Sequence, residues 1–93
     1  MAFVATENGG MQPMNDRRLI IGGFYRHFKG DEYQVLNVAR HSETREVLVV
    51  YQDMSGGIWA IPFEMFMSKV DREKYPDANQ KYRFQHSSER MEV

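Results

Sequence analysis

The sequence predicts an all-β fold, a small SH3-like barrel of about five antiparallel strands. Short runs of β-branched and aromatic residues recur roughly every ten residues, separated by polar or glycine-containing turns. Residues 47–51, VLVVY, are apolar on both faces, which favours a closed sheet over an open one. Residues 62–66, PFEMF, predict one 3₁₀ turn in the place where such barrels carry it, before the last strand.

The first two strands are predicted to form a hairpin. Residues 24–28 are rich in aromatic side chains, and the sequence KGDE that follows supplies turn-forming residues. Residues 33–41, YQVLNVARH, carry β-branched Val35 and Val38 at strand positions. We therefore expect these two runs to pair in antiparallel fashion.

The third and fourth strands follow a polar loop at residues 42–46. Residues 47–52, VLVVYQ, give the clearest strand pattern in the chain, and the glycine-containing residues 53–57 predict a turn after it. Residues 58–61, IWAI, return as a fourth strand. This strand ends at Pro62, because proline has no N–H to donate to a central ladder.

The end of the sheet is less regular. Phe63 and Phe66 lie three residues apart in the predicted turn, so both can cover one end of a barrel. Residues 67–70, MSKV, predict a short fifth strand, and residues 81–84, KYRF, either add an edge strand or lie across the barrel.

A chain of 93 residues holds one domain, since domains most often run to about 100–150 residues. We place it at residues 19–84, between disordered tails at residues 1–18 and 85–93. The absence of cysteine and of any apolar run near the roughly 20 residues of a membrane span predicts a cytoplasmic protein without membrane contact. A formal net charge of −1 makes extended nucleic acid an improbable partner.

Four spaced motifs carry a resemblance to a known family: YRHFKG at residues 25–30, VARHSET at 38–44, VVYQ at 49–52 and WAIPFEMF at 59–66. With them the sequence resembles a family of small bacterial proteins, domain of unknown function sixteen fifty-three. The resemblance brings no activity with it, and no cofactor is predicted from the sequence. The turn at residues 55–57 is shorter than the loop of the family.

The candidate site consists of arginine, histidine, acidic and aromatic residues within these motifs. They are Tyr25, Arg26, His27, Arg40, His41, Glu43, Tyr51, Trp59 and Glu64. The guanidinium fork matches a phosphate or carboxylate group, and aromatic faces can stack a base. We therefore predict a binding module for a phosphate-bearing or other anionic ligand, such as a nucleotide. Arg26, Arg40 and His41 would hold it, with Tyr25 and Trp59 beside them.

Two other functions fit the same sequence. A protein-interaction module would take an extended peptide in an aromatic groove or pair it with an open strand edge. A small hydrolase-like enzyme would use His41 as base and Glu43 as its partner, next to Ser42 or Thr44. No nucleophile motif supports the enzyme, and the ligand spacing of a metal site on His27 and His41 is absent.

A purely structural interpretation accounts for the same residues. Each histidine would cap a turn or bind a backbone carbonyl, and Trp59, Tyr51 and Phe63 would lie in the core. Glu64 would form an ion pair with Arg26 or Arg40.

Overall fold

The computed structural model describes residues 17–86, which contain five strands and one short helix. The elements are β1 (Phe24–His27), β2 (Glu32–Arg40), β3 (Val47–Asp53), β4 (Ile58–Pro62), α1 (Phe63–Phe66) and β5 (Phe84–His86). All pairings are antiparallel, in the order β4-β3-β2-β1-β5. The predicted all-β class is confirmed.

The sheet does not close into the predicted barrel; in the described residues it is open, with β4 and β5 as its edges. The expectation of closure came from the apolar residues on both faces of β3. One face of β3 does pack in the core through Val49, whereas Leu48 and Val50 on the other face stay partly exposed opposite Pro62 and Ala60. Leu48 and Val50 are apolar because they lie against the small apolar residues Pro62 and Ala60, and not because both faces of β3 are buried.

The last strand does not lie at residues 67–70 but begins at Phe84, the end of the run 81–84 for which an edge strand was one of two expectations. Residues 67–70 form no strand, and only Lys69 makes an isolated bridge, to Tyr82. Met67 and Val70 are buried as irregular chain after α1. The free edge of β1 pairs with β5 instead, which places Phe84 in the core. Strand β5 runs two residues past the predicted domain end, and residues 1–16 and 87–93 of the predicted tails lie outside the described part.

The core lies on one face of the sheet and is largely aromatic. Phe66 of α1 stacks on Phe84 of β5 with ring centroids 4.2 Å apart. Tyr25 meets the edge of Phe66 at 5.1 Å, and Tyr51 contacts Phe84 at 5.6 Å. Large rings bury roughly 150–250 Å² each, so a few of them supply most of the apolar area that a small domain needs.

A register shift in β2 keeps the core face apolar. The pairing of β2 with β3 shifts between Val35 and Asn37, so that Val35 lies opposite Tyr51 and Val38 opposite Val49. Without the extra residue, Val38 would point to the other face, because side chains alternate along a strand.

Arg17 ties the start of the described chain to this core. Its side chain is buried, and its Nη1 and Nη2 groups donate to the carbonyls of Met67 (2.8 Å) and Phe84 (2.7 Å). The guanidinium also lies 3.8 Å from the centre of the Tyr82 ring. Arg17 thus fastens the chain after α1 to β5. Nowhere in residues 17–86 is there a helix long and apolar enough to span a membrane.

Candidate functional site

The strand register separates the arginines that the sequence grouped into one site. Arg26 lies opposite Glu32 at the start of β2, whereas Arg40 lies opposite Val47 at its end. Strand residues advance by roughly 3.3 Å each, so the two arginines are roughly 25 Å apart along the sheet. The structure therefore does not bring Arg26 together with Arg40 and His41.

Two of the predicted aromatic residues serve the core. Tyr25 is 2% exposed, and its hydroxyl accepts a hydrogen bond from the backbone N–H of Ile20 at 3.0 Å. Tyr51 is partly buried and packs edge-on against Tyr33 at 5.2 Å. Burial, as the main cause, raises the pKa of the Tyr51 hydroxyl. Neither ring is free to stack a ligand.

Both histidines near the predicted site cap turns, as the structural interpretation expects. The Nδ1 atom of His41 accepts hydrogen bonds from the backbone N–H groups of Glu43 (3.1 Å) and Thr44 (3.3 Å). The Nδ1 atom of His27 accepts from the N–H of Lys29 at 3.1 Å. These contacts shape the two hairpin loops.

The arrangement around His41 does not form a catalytic pair. In residues 17–86 no side-chain hydrogen bond joins His41 to Glu43 or Ser42, and the Nδ1 atom is already used by the backbone. A base needs an orienting group and a nucleophile within hydrogen-bond distance. Over the same part of the chain, no three histidine or acidic residues come together as metal ligands.

The predicted ion pair of Glu64 is wrong. Glu64 lies exposed on α1, and within the described residues it pairs with neither Arg26 nor Arg40. The Nη1 group of Arg40 donates instead to the carbonyl of Arg45 at 3.0 Å, across its own hairpin loop. Arg45 has a φ of 69°, and this left-handed turn brings its carbonyl to Arg40.

Trp59 is the predicted aromatic residue that remains on the surface. Its side chain is 55% exposed, so the expectation that it lies in the core is wrong. The indole N–H donates to Oδ2 of Asp53 at 2.9 Å. The other oxygen, Oδ1, accepts from the backbone N–H groups of Ser55 (2.9 Å) and Gly57 (2.8 Å) and from the Ser55 hydroxyl (2.9 Å). Asp53 therefore organises the whole β3–β4 turn.

The sequence reasoning missed Asp53, although its position gives a signal. Aspartate at the first position of a glycine-containing turn commonly accepts hydrogen bonds from the N–H groups two residues or more ahead. Gly57 is part of the same device, because a Cβ atom there would lie 2.9 Å from Oδ2 of Asp53 and 3.2 Å from Nε1 of Trp59. A side chain at this position would push the Asp53 carboxylate away from its present position.

We expect the carboxyl group of Asp53 to titrate far below its ordinary range. The Trp59 hydrogen bond, followed by those from Gly57 and Ser55, lowers the pKa from 3.8 to about 2. A depressed folded-state pKa adds stability above pH 3.8, and this contribution is lost as the pH falls through about 2. An NMR titration of the Asp53 side-chain carbon should show that midpoint, and Trp59→Phe should raise it. A wild-type midpoint near 3.8 would contradict the assignment.

A shallow cleft beside this turn is acidic. Its volume is about 290 Å³, and it is lined by Asp31, Glu32, Tyr33, Asp53, Met54 and Ser55. Three carboxylates repel an anion, so the predicted phosphate-bearing ligand is not expected here.

The outer edge of β4 is open in the described structure. The Asp53 N–H donates to the Gly57 carbonyl at 2.9 Å, which begins the β3–β4 ladder. Hydrogen-bonded pairs alternate along an antiparallel ladder, so Trp59 is the next residue of β4 bonded to β3. The N–H and C=O groups of Ile58 and Ala60 then point away from β3.

The two edges of the sheet differ in how they are covered. On β5, the Arg17 side chain donates to the Phe84 carbonyl. On β4, Ile58 is 61% and Trp59 55% exposed, and Met54 in the adjoining turn is 66% exposed. Natural edges are usually protected by charge or a covering segment, and β4 carries only its terminal Pro62.

Comparison with known proteins gives one family. The model described as Protein of unknown function (DUF1653) matches residues 23–86, which include all five strands and α1. No curated protein and no solved structure matches the chain.

Proposed function

The chain belongs to the DUF1653 family, as its motifs predicted, and from its own surface we propose that it is a protein-interaction module. The β4 edge binds an extended segment of another protein, which adds to the sheet as a sixth, antiparallel strand. The open edge of β4, with Ile58 and Trp59 exposed on it, is the observation that carries this proposal.

Backbone groups provide the first part of the interaction. Ile58 and Ala60 each offer an N–H and a C=O to an incoming strand, and Pro62 offers its C=O at the end. Such main-chain bonds give affinity with little dependence on the partner's sequence.

Side chains provide the second part. The Trp59 N–H is already bonded to Asp53, so the exposed remainder of the ring is apolar. Ile58 lies on the opposite face of the same edge, because neighbouring strand residues alternate. An incoming strand with apolar side chains on both faces would cover both residues, which favours a β-branched or aromatic partner segment.

The geometry favours another protein over a second copy of this chain. Two copies of β4 overlap fully when they pair antiparallel about Ala60, and Pro62 of each copy then faces Ile58 of the other. Because proline has no N–H, each Ile58 carbonyl would lack a donor. A partner strand without proline avoids this loss.

The SH3-like class belongs to the same proposal. Strands β1–β4 follow one another in the sheet, β5 returns to β1, and α1 precedes β5. This order supports an SH3-like arrangement in an open sheet.

Lysine placed at the open edge should weaken binding. Peptides selected from a random display library against the full-length protein serve as probes, and titration calorimetry gives their affinity. Ala60→Lys should weaken binding by about tenfold or more, because a charge at an edge opposes strand pairing. Ala39→Lys is the matched control, since Ala39 is also exposed but pairs with Leu48 of β3, on the far side of β3 from the β4 edge, and it should leave the affinity unchanged.

Three results would overturn the proposal: no peptide is enriched, Ala60→Lys binds like the wild type, or both lysine variants lose binding equally. A concentration-dependent dimer in sedimentation that Ala60→Lys dissolves would assign the edge to a second copy instead. Salt gives a further check, because an apolar strand contact should respond little to ionic strength.

A further inference from the structure

A second surface, at the β1–β5 side of the sheet, holds two positive charges that no described carboxylate neutralises. The backbone N–H of Phe28 donates to the Arg83 carbonyl at 2.9 Å, so Arg83 lies beside the β1–β2 turn. Lys29 follows Phe28 in that turn. Both cations are therefore fixed to the same corner of the fold.

The Arg83 side chain is held in place by its neighbours, while the terminal amino groups of its guanidinium stay available for a ligand. Its backbone N–H donates to the Ser68 carbonyl at 2.9 Å, and its Nε donates to the Ser68 hydroxyl at 3.3 Å. In the described structure, its two terminal amino groups have no hydrogen-bond or ion-pair partner. The side chain is thus oriented with two donors left for a ligand, as in phosphate recognition by arginine.

Lys29 is positioned by aromatic rings. Its ammonium group lies 5.2 Å from the centre of the Tyr75 ring and 5.8 Å from that of Phe28. The two rings pack on each other with centroids 4.8 Å apart. Cation–π contacts of this kind orient the ammonium without neutralising its charge, and no described carboxylate forms an ion pair with it.

The surroundings of His27 indicate that the charges of Lys29 and Arg83 both act on one place, the His27 ring. Its ring stacks on Phe28 at 4.6 Å and accepts the Lys29 N–H, which fixes the start of the turn. Burial lowers the pKa of His27 most, and the charges of Arg83 and Lys29 lower it further. Asp31 is the one described acid that acts against them there.

We infer that Lys29 and Arg83 form a binding site for the phosphate group of a small ligand, beside the Phe28–Tyr75 ring pair. The site lies across the sheet from the β4 edge and is independent of strand addition there. Unlike the anion site predicted from the sequence, it uses neither Arg40 nor His41, and its second cation is Arg83. A small ligand fits better than a nucleic acid strand, because the chain as a whole is not basic, with a net charge of −1.

The test is titration of the full-length protein with inorganic pyrophosphate and with AMP at low salt, followed by NMR and calorimetry. Both probes should shift the amide signals of Lys29 and Arg83. Lys29→Gln should weaken binding by about tenfold or more, since a charge-assisted hydrogen bond contributes about 1.5–3 kcal/mol. Arg45→Gln removes the same charge from an exposed position at the opposite end of the sheet and should have no effect.

If AMP binds much more tightly than pyrophosphate, the phosphate group that the site takes belongs to a nucleotide. If pyrophosphate binds much more tightly, it belongs to a free polyphosphate. Arg83→Gln should also lose binding of both probes while it keeps the wild-type melting temperature. That result completes the support. Binding unchanged in Lys29→Gln, or no binding of either probe at millimolar concentration, would overturn the inference. So would a short single-stranded oligonucleotide that binds far more tightly than AMP, because the ligand would then be nucleic acid.

Discussion

Replacing Phe66 with alanine should destabilise the fold more than any other single change. The ring is completely buried, stacks on Phe84 and meets the edge of Tyr25, so its removal leaves a cavity in the centre of the core. Phenylalanine-to-alanine changes in cores cost about 3–5 kcal/mol. A domain of this size has on the order of 5–10 kcal/mol of stability, so the variant should lose about a third or more of it.

Urea denaturation monitored by circular dichroism measures this effect. Phe24→Ala is the matched control, because Phe24 is 52% exposed and should lose less than about 1 kcal/mol. Equal costs for the two variants would show that α1 does not pack on the sheet as described.

Arg17→Ala should give the second large effect. It removes two hydrogen bonds from a charged group to buried carbonyls, those of Met67 and Phe84, and the contact with the Tyr82 ring. Hydrogen bonds to charged groups contribute about 1.5–3 kcal/mol each, and unpaired buried carbonyls add to the loss. We therefore expect a total of at least about 3 kcal/mol.

Thermal unfolding separates this role from a general charge effect. Arg18→Ala removes the same charge from an exposed neighbour and should change the stability by less than about 0.5 kcal/mol. Arg17→Lys should recover only part of the loss, because an ammonium group cannot bridge two carbonyls as the planar fork does. If Arg17→Lys is as stable as the wild type, the bridging role is wrong.

Strands β1 to β4, which are neighbours in both the chain and the sheet, could be placed from the sequence because local signals specify them. Runs of β-branched and aromatic residues bounded by turn residues put β1 to β4 within one residue of their observed ends. Strand β5 has three residues and forms against β1; the local pattern at residues 81–84 left open whether an edge strand forms there, because the pairing with β1 decides it. The sheet's failure to close is likewise a property of packing.

The candidate site was harder to predict, because it depends on register and on side-chain competition. Arg26 and Arg40 belong to the same set of sequence motifs, yet the length of β2 holds them at opposite ends of the sheet. The sequence left Trp59 either beside a ligand or in the core, and its bond to Asp53 holds it at the edge of the sheet instead of in the core. The turn-capping role of His27 and His41 followed from ordinary loop chemistry and could be anticipated.

The proposed interaction at β4 is tested most directly by amide hydrogen exchange, residue by residue, with and without a selected peptide. In the free protein, the amides of Ile58 and Ala60 should exchange fast and those of Trp59 and Ile61 slowly, since alternate residues of β4 face β3. Bound peptide should slow exchange selectively at Ile58 and Ala60. Slow exchange at these two amides in the free protein, or no change on binding, would contradict strand addition at this edge.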